Sequence, residues 1–192
     1  MLPITLNLAR LDIILIGEGA AAERRLALLD EAGAARLRVF APAPGDAFAR
    51  AAGTRLARRL PEAAEIIGAR LVFITDRTAS YVADIALQAR TAGALVHIED
   101  DPTRSDLAMP AVLRRGDLTI AVSTGGASPA LAVRLKRALG ELFGPEWRAR
   151  TDEMALLRRQ WRDAGADADT LKHRTEDWID RQRWLPPSTN AQ

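Results

Sequence analysis

The chain has 192 residues, a formal net charge of +2 and no cysteine. This length suits one compact domain with an appendage, and the absence of cysteine excludes a disulfide framework, a thiolate metal site and a cysteine nucleophile. Mixed charges argue against a dedicated nucleic-acid-binding protein, and the sequence shows neither a bilayer-spanning apolar run nor a basic signal-peptide start, so we expect a cytoplasmic protein with no membrane partner.

The first hundred residues alternate between short apolar runs and helical patterns. The runs predict strands at 4–8, 13–16, 37–40, 71–75 and 94–98. Helices are expected from Gly19 to Gly33, from 46 to 57 and from 78 to 92. This alternation is typical of an α/β fold, and it predicts an N-terminal Rossmann-like parallel sheet.

The pattern changes after residue 100. An irregular stretch precedes two strands within 111–122, and a helix begins at Ser128, where serine followed by Pro129 is a strong N-terminal signal. Beyond Pro145 the chain is helical and charged, and its four tryptophans predict an aromatic core for a small helical domain. We therefore divide the chain at 1–110, 111–145, 146–185 and 186–192, the last being a disordered tail.

The turn after the second apolar run has the pattern Gly-x-Gly-x-x-Ala, formed by Gly17, Glu18, Gly19, Ala20, Ala21 and Ala22. A strand, a glycine turn and a new helix in this order suit a dinucleotide pyrophosphate, because the glycines allow close backbone approach and the helix offers unpaired N–H groups. The alternative is a tight turn that binds nothing. Directly after Phe40 there is no acidic residue in the place where an NAD ribose partner is usual, so these residues leave the choice between NAD and NADP open.

Polar residues end two later strands of the predicted sheet. Thr75 and Asp76 follow one strand, and His97, Glu99 and Asp100 close another. Ligands of open α/β sheets bind at this carboxyl edge, and an acid in a partly dry cleft there can exchange protons. In an extended strand His97 and Glu99 point one way and Asp100 the other. Solvated loop acids, a strand-ending turn at Thr75 or a His/Glu/Asp metal site remain open alternatives.

A third loop, Ser123-Thr124-Gly125-Gly126-Ala127-Ser128-Pro129, is typical of an anion-binding loop that opens a helix. It lacks the lysine of a P-loop, so nucleoside triphosphate hydrolysis is not expected. A capped helix alone explains Ser128 but does not require two adjacent glycines.

Three blocks, residues 16–25, 99–110 and 121–132, together resemble precorrin-2 dehydrogenase, which is also the N-terminal module of siroheme synthase. The resemblance implies NAD-dependent oxidation of precorrin-2 to sirohydrochlorin, ferrous iron insertion in some members, and a homodimer joined through segment 111–145. It places the general base at Asp100 and a possible phosphorylation site at Thr124. No methyltransferase pattern follows, so we expect the stand-alone form, without a resident metal.

The resemblance and the residue patterns together define the expected contacts. Cofactor contacts are expected from Gly17, Glu18, Gly19, Ala20, Ala21, Ala22, Thr75, Asp76 and His97. Contacts to the substrate carboxylates are expected from Thr124, Gly125, Gly126, Ser128 and Arg114, because arginine and loop N–H groups bind carboxylates well.

Three residues depart from the usual pattern of the family. His97 replaces asparagine, Glu99 replaces an apolar residue and Glu18 replaces the commoner glycine. The first two lie beside the proposed base, so a non-catalytic NAD-binding regulator or sensor is the alternative function. An oxidoreductase for another anionic substrate is a third.

Overall fold

The computed structural model describes residues 2–76 and 78–186 and divides into two compact units, Met1–Met109 and Pro110–Gln192. The predicted boundaries within the second unit, at 111–145 and 146–185, stay predictions. The predicted tail at 186–192 lies outside the described residues except for Pro186. None of the helices in the described part of the chain is both long and apolar enough to cross a membrane.

The first unit is a five-stranded sheet in which every neighbouring pair is parallel, in the order β3-β2-β1-β4-β5. The strands are Asp12–Ile16 (β1), Arg36–Phe40 (β2), Leu56–Ala57 (β3), Leu71–Ile74 (β4) and Leu95–Ile98 (β5). The helices are Gly19–Glu31 (α1), Asp46–Ala52 (α2), Ala63–Ile66 (α3) and Val82–Thr91 (α4). This confirms the predicted Rossmann-like α/β sheet.

Helices cover both faces of this sheet, and alternate strand residues divide the core between them. Ile13, Leu15 and Phe73 pack on one face with α1 and α2 residues such as Leu26. The opposite face carries a second cluster with α3 and α4 residues, including Ile14, Ile16, Val72, Ile74, Val96, Ile98, Ile66, Val82 and Ile85. Burial on both faces explains why β4 is apolar along its whole length.

Three of the expected elements in the first unit differ in the structure. The predicted strand at 4–8 is irregular backbone leading to a 3₁₀ turn, Leu8–Arg10, which the Asn7 side chain caps by accepting from the Ala9 N–H. Because β1 already pairs with β2 and β4, it has no free edge for this segment. The predicted helix at 46–57 ends at Ala52, since Gly53 adopts φ +57° and the chain then enters β3. The helix expected from 78 begins only at Val82.

The second unit begins with the predicted antiparallel hairpin, Ala111–Arg115 (β6) and Leu118–Val122 (β7). Three helices follow: Pro129–Leu142 (α5), Trp147–Asp163 (α6) and Ala168–Gln182 (α7). Ser128 caps α5 as predicted, because its side chain accepts from the Leu131 N–H.

The tryptophans of the second unit, which were expected to form an aromatic core, are only partly enclosed. All four are half-buried, and Trp147 contacts the rings of Phe143 and Trp184 at centroid distances of 5.2 and 6.4 Å. The guanidinium of Arg150 lies 4.9 Å from the Trp147 ring centroid. These rings therefore form an aromatic and cationic cluster at the surface.

Candidate active site

The turn after β1 is built so that only glycine fits at its first position. Gly17 adopts φ +122°, and a Cβ placed there would collide with the Thr75 Oγ1. The Gly17 N–H donates to the Phe40 carbonyl of β2 at 3.0 Å. The buried Thr75 donates its own N–H and hydroxyl to the Ile16 carbonyl, at 2.9 and 3.2 Å. Gly17 and Thr75, predicted separately from sequence, therefore meet at one point of the sheet edge.

The second glycine of the turn, Gly19, is the first residue of α1. Gly19 adopts φ +75°, and no atom lies within 4 Å of the position a Cβ would take, so the space above it is open. Ala20 and Ala21 form the first turn, whose N–H groups have no partner within the helix. Ala22 is completely buried against the sheet, which brings the helix close to β1. Backbone donors at an open helix start suit a pyrophosphate.

The two carboxylates nearest this turn are both engaged. The Glu18 Oε2 accepts from the Ala43 N–H at 2.9 Å, so its side chain reaches the loop after β2. The Asp76 carboxylate accepts from the hydroxyl and the N–H of Thr78, and these bonds lower the pKa of Asp76. Asp76 is thus held ionised as part of the loop that leaves β4.

A polar cluster under the end of β5 is the feature that sequence reasoning missed. Arg25, on α1, is only 7% exposed, and its Nη2 donates to the Glu99 Oε2 at 2.6 Å. The His97 Nε2 lies 3.1 Å from the same Arg25 nitrogen. The Arg25 guanidinium also lies over the Phe73 ring, 5.2 Å from its centroid. An arginine within the apolar stripe of α1, one turn from Ala22 and beside Leu26, was the signal available in the sequence.

His97 is fully engaged inside this cluster. Arginine can only donate and a carbonyl can only accept, so the His97 Nε2 accepts from Arg25 and its Nδ1 donates to the Leu107 carbonyl at 3.2 Å. The expected parallel orientation of His97 and Glu99 is confirmed, since both contact Arg25. The contact of His97 with a cofactor stays a prediction.

The charge of Glu99 is strongly stabilised. The Arg25 guanidinium lowers the pKa of Glu99, against the opposing effect of partial burial. The His97 ring is 3.7 Å from the Glu99 oxygen, too long for a hydrogen bond, so the 2.6 Å Arg25 contact is the direct bond. Glu99 is therefore an anion bound to a buried cation, unlike the proton-exchanging acid expected at this edge.

Asp100 follows in a backbone conformation that side chains rarely adopt. Its φ is +53°, within a turn that closes when the Asp101 N–H donates to the Ile98 carbonyl. Non-glycine residues with a positive φ are uncommon and concentrate at functional sites. The turn holds the exposed Asp100 side chain at the carboxyl end of β5.

The loop after Asp100 folds back along β5 and fixes this turn. The Ser105 hydroxyl accepts from the Ile98 N–H, and the Asp106 carboxylate accepts from the Val96 N–H. Asp101 is bound by the Thr103 hydroxyl and by the side chain and N–H of Arg104, and these lower its pKa to about 2. The loop thereby supplies the outer edge of β5 with hydrogen-bond partners.

The candidate substrate loop belongs to the second unit. The Thr124 Oγ1 donates to the Ser128 carbonyl and accepts from the Ser128 N–H, both at 3.1 Å. Gly125 and Gly126 adopt φ +64° and +91°, with open space at both Cβ positions. Arg114 lies half-buried on β6. The loop residues thus come together in one closed turn with accessible glycine backbone.

No group of three or more potential metal-ligating side chains occurs within 2–76 and 78–186.

Comparisons with known proteins identify families that match both units of the chain. The sequence model of a family described as putative NAD(P)-binding matches residues 4–111, and that of the sirohaem biosynthesis protein central family matches residues 115–142. A siroheme synthase from Methylococcus capsulatus is 34% identical over 178 residues, 90% of this chain and 37% of the relative. A siroheme synthase 1 from Aeromonas salmonicida is 37% identical over 146 residues, 74% of this chain and 31% of the relative.

Among solved structures, one titled SirC, precorrin-2 dehydrogenase, has the same fold. Its TM-score is 0.74 at 23% sequence identity, covering 97% of this chain and 93% of that one. The chain spans about a third of the length of the curated relatives it matches. These matches confirm the resemblance drawn from the three sequence blocks.

Proposed function

The chain belongs to the putative NAD(P)-binding family, and we propose that it uses NAD to oxidise precorrin-2 to sirohydrochlorin in sirohaem biosynthesis. One observation carries this proposal. Ile16, Ile74 and Ile98 are in register across β1, β4 and β5, so the glycine turn, Thr75 and the strained Asp100 turn follow at one sheet edge. Ligands of open α/β sheets bind at this edge. The relatives named siroheme synthase support the choice of substrate.

The residues present fit a dinucleotide. Gly17 and Gly19 leave no side chain between the backbone and a pyrophosphate, and the first-turn N–H groups of α1 face an anion at the positive end of the helix dipole. Ala20 and Ala21 would contact the phosphates through these N–H groups. Thr75, Asp76 and His97 are proposed to lie beside the rest of the cofactor.

The reaction removes two hydrogens from the substrate, one as a hydride and one as a proton. When bound, NAD accepts the hydride at its nicotinamide ring. The Asp100 carboxylate takes the proton as general base. The neighbouring carboxylates of Glu99 and Asp101 are held ionised by hydrogen-bond donors, which lower their pKa. They are therefore weak bases and do not compete for this proton near neutral pH.

Precorrin-2 carries many carboxylates, and we propose that Thr124, Gly125, Gly126, Ser128 and Arg114 bind them. Support comes from the open space above the two glycines, which allows an anion to reach the backbone N–H groups. Arginine adds paired donors that match a carboxylate.

We further propose ferrous iron as a second substrate, which the chain would insert into sirohydrochlorin.

We also propose a homodimer formed through residues 111–145. Exposed apolar side chains on α5, Leu131, Val133, Leu135 and Leu142, support the dimer, because such a surface gains by burial. Sedimentation analysis tests it, and a monomer at micromolar concentration would refute it.

The test of the proposed activity is an anaerobic assay with enzymatically generated precorrin-2 and NAD, followed by sirohydrochlorin absorbance. We expect turnover by the native chain and its loss in Asp100→Ala, with NAD affinity unchanged within twofold. Ferrous iron added to the same reaction tests chelation. A native chain that binds NAD without turnover would favour the regulator, and turnover retained in Asp100→Ala would remove Asp100 from the mechanism.

A further inference from the structure

The loop after β2 contains no acidic residue, yet a carboxylate from another part of the chain is hydrogen-bonded to it. Residues 41–45 read Ala-Pro-Ala-Pro-Gly. The carboxylate comes instead from Glu18, whose Oε2 accepts from the Ala43 N–H at 2.9 Å. Glu18 has extended backbone, φ −148° and ψ 177°, between two glycines of positive φ. The turn therefore directs its side chain away from the α1 N-terminus and towards β2.

The end of β2 is the position that distinguishes the two nicotinamide dinucleotides. In a βαβ dinucleotide-binding unit, an acid here accepts hydrogen bonds from the adenine ribose, whereas a nearby arginine accommodates the extra phosphate of NADP. Glu18 retains a second oxygen, Oε1, beyond the one that binds Ala43. The structure thus supplies, from the glycine turn, the acid that the loop lacks.

Two arginines near the end of β2, Arg38 and Arg59, are already bound to protein acceptors. The Arg59 guanidinium lies 5.6 Å from the Phe40 ring centroid, and it forms paired hydrogen bonds with the Glu65 carboxylate at 2.6 and 2.9 Å. This pairing lowers the pKa of Glu65 to about 2. The Arg38 Nη2 donates to the Glu65 carbonyl at 2.7 Å. A 2′-phosphate would therefore have to displace Glu65 to use Arg59.

We propose that Glu18 is the residue that makes this chain select NAD over NADP. Its carboxylate accepts a hydrogen bond from the ribose 2′-hydroxyl of NAD and repels the 2′-phosphate of NADP. The inference rests on the proposed function, since it requires the first unit to bind a dinucleotide. It concerns a residue at which this chain departs from the family pattern, and it assigns a role to that difference.

The test measures binding, so it does not depend on turnover. Isothermal titration calorimetry gives the Kd of NAD and of NADP for the full chain and for Glu18→Gln, which keeps the size of the side chain and removes its charge. Glu23→Gln is the matched control, because Glu23 is an exposed residue on the same helix and loses the same charge.

We expect the native chain to bind NAD at least about tenfold more tightly than NADP, since hydrogen bonds to a charged group carry that much discrimination. Glu18→Gln should reduce this ratio about tenfold, and Glu23→Gln should leave it within about twofold. A ratio unchanged by Glu18→Gln would overturn the inference and leave the proposed function standing. Native binding that favours NADP would overturn the inference together with the choice of NAD in the proposed function. If neither dinucleotide binds, the proposed function fails as well.

Discussion

Removing one partner of the ion pair between Arg25 and Glu99 should strongly destabilise the first unit. Glu99→Gln removes the negative charge while keeping the side-chain shape, and it leaves a guanidinium that is only 7% exposed without its counter-ion. The Arg25 Nε is already buried without a hydrogen-bond partner among the described residues. The substitution therefore leaves a buried cation with little compensation.

The size of the effect follows from the cost of leaving a buried charge unpaired. The Arg25 guanidinium lowers the pKa of Glu99, so the folded chain favours the ionised form of this pair. Breaking a buried pair from one side costs about 3–5 kcal/mol. Glu99 is 19% exposed, which places the expected loss at the lower end, about 3 kcal/mol. For a chain of this size the melting temperature should fall by roughly 6–12 °C.

Urea denaturation of the native chain, Glu99→Gln and the double variant Arg25→Leu/Glu99→Val measures this loss. The double variant replaces both charges with apolar groups and should regain most of the stability, because apolar groups can substitute for a buried pair. Asp12→Asn is the control, since it breaks an exposed pair with Arg36 at the other end of β1. A Glu99→Gln chain within about 1 kcal/mol of native would refute the reasoning, because surface pairs typically contribute no more than that.

Three further predictions follow from single contacts. Gly17→Ala should lower dinucleotide affinity at least about tenfold in calorimetry, because its Cβ would collide with Thr75 in a strained backbone; unchanged affinity would contradict the proposed pyrophosphate site. Ser128→Ala should lower the free energy of unfolding by about 1 kcal/mol in urea, through loss of the bond from the Leu131 N–H, whereas Ser128→Asn should restore it. Because the folded pKa of Glu99 is depressed, its contribution is complete above about pH 5 and should be lost as the pH falls towards 2; acid titration of Glu99→Gln should show a shallower decline in that range.

Local pattern accounts for most of the first unit. The apolar runs, the glycine turn and the Ser128 cap each depend on neighbours in sequence, so the parallel sheet, the α1 start and the β6–β7 hairpin were predictable. The strand expected at 4–8 was wrong because an apolar run does not reveal whether a sheet edge is free to pair with it. The helix expected to reach 57 was wrong because Gly53 takes a positive φ, which the helical spacing of its neighbours does not show.

The sequence predicted which backbone positions form the candidate site, but it did not predict which side chains contact one another there. Gly17 and Asp100 follow from motifs, and their strained backbone is now visible. Arg25 was missed because its partner Glu99 lies 74 residues further along the chain. The sequence also could not show that the loop after Asp100 folds back on β5, since Ser105 and Asp106 act there on main-chain groups of another element.

The sequence by itself determined the alternation of strands and helices, the glycine turn and the acid that ends β5, because each is a matter of local spacing and backbone freedom. Tertiary structure alone decided which charges meet. The order of the strands brings α1 against the end of β5, so that Arg25 binds Glu99, and it brings the β1 turn against the loop after β2, so that Glu18 reaches Ala43. Partners of this kind are set by sheet order and side-chain direction, which are properties of the packed fold.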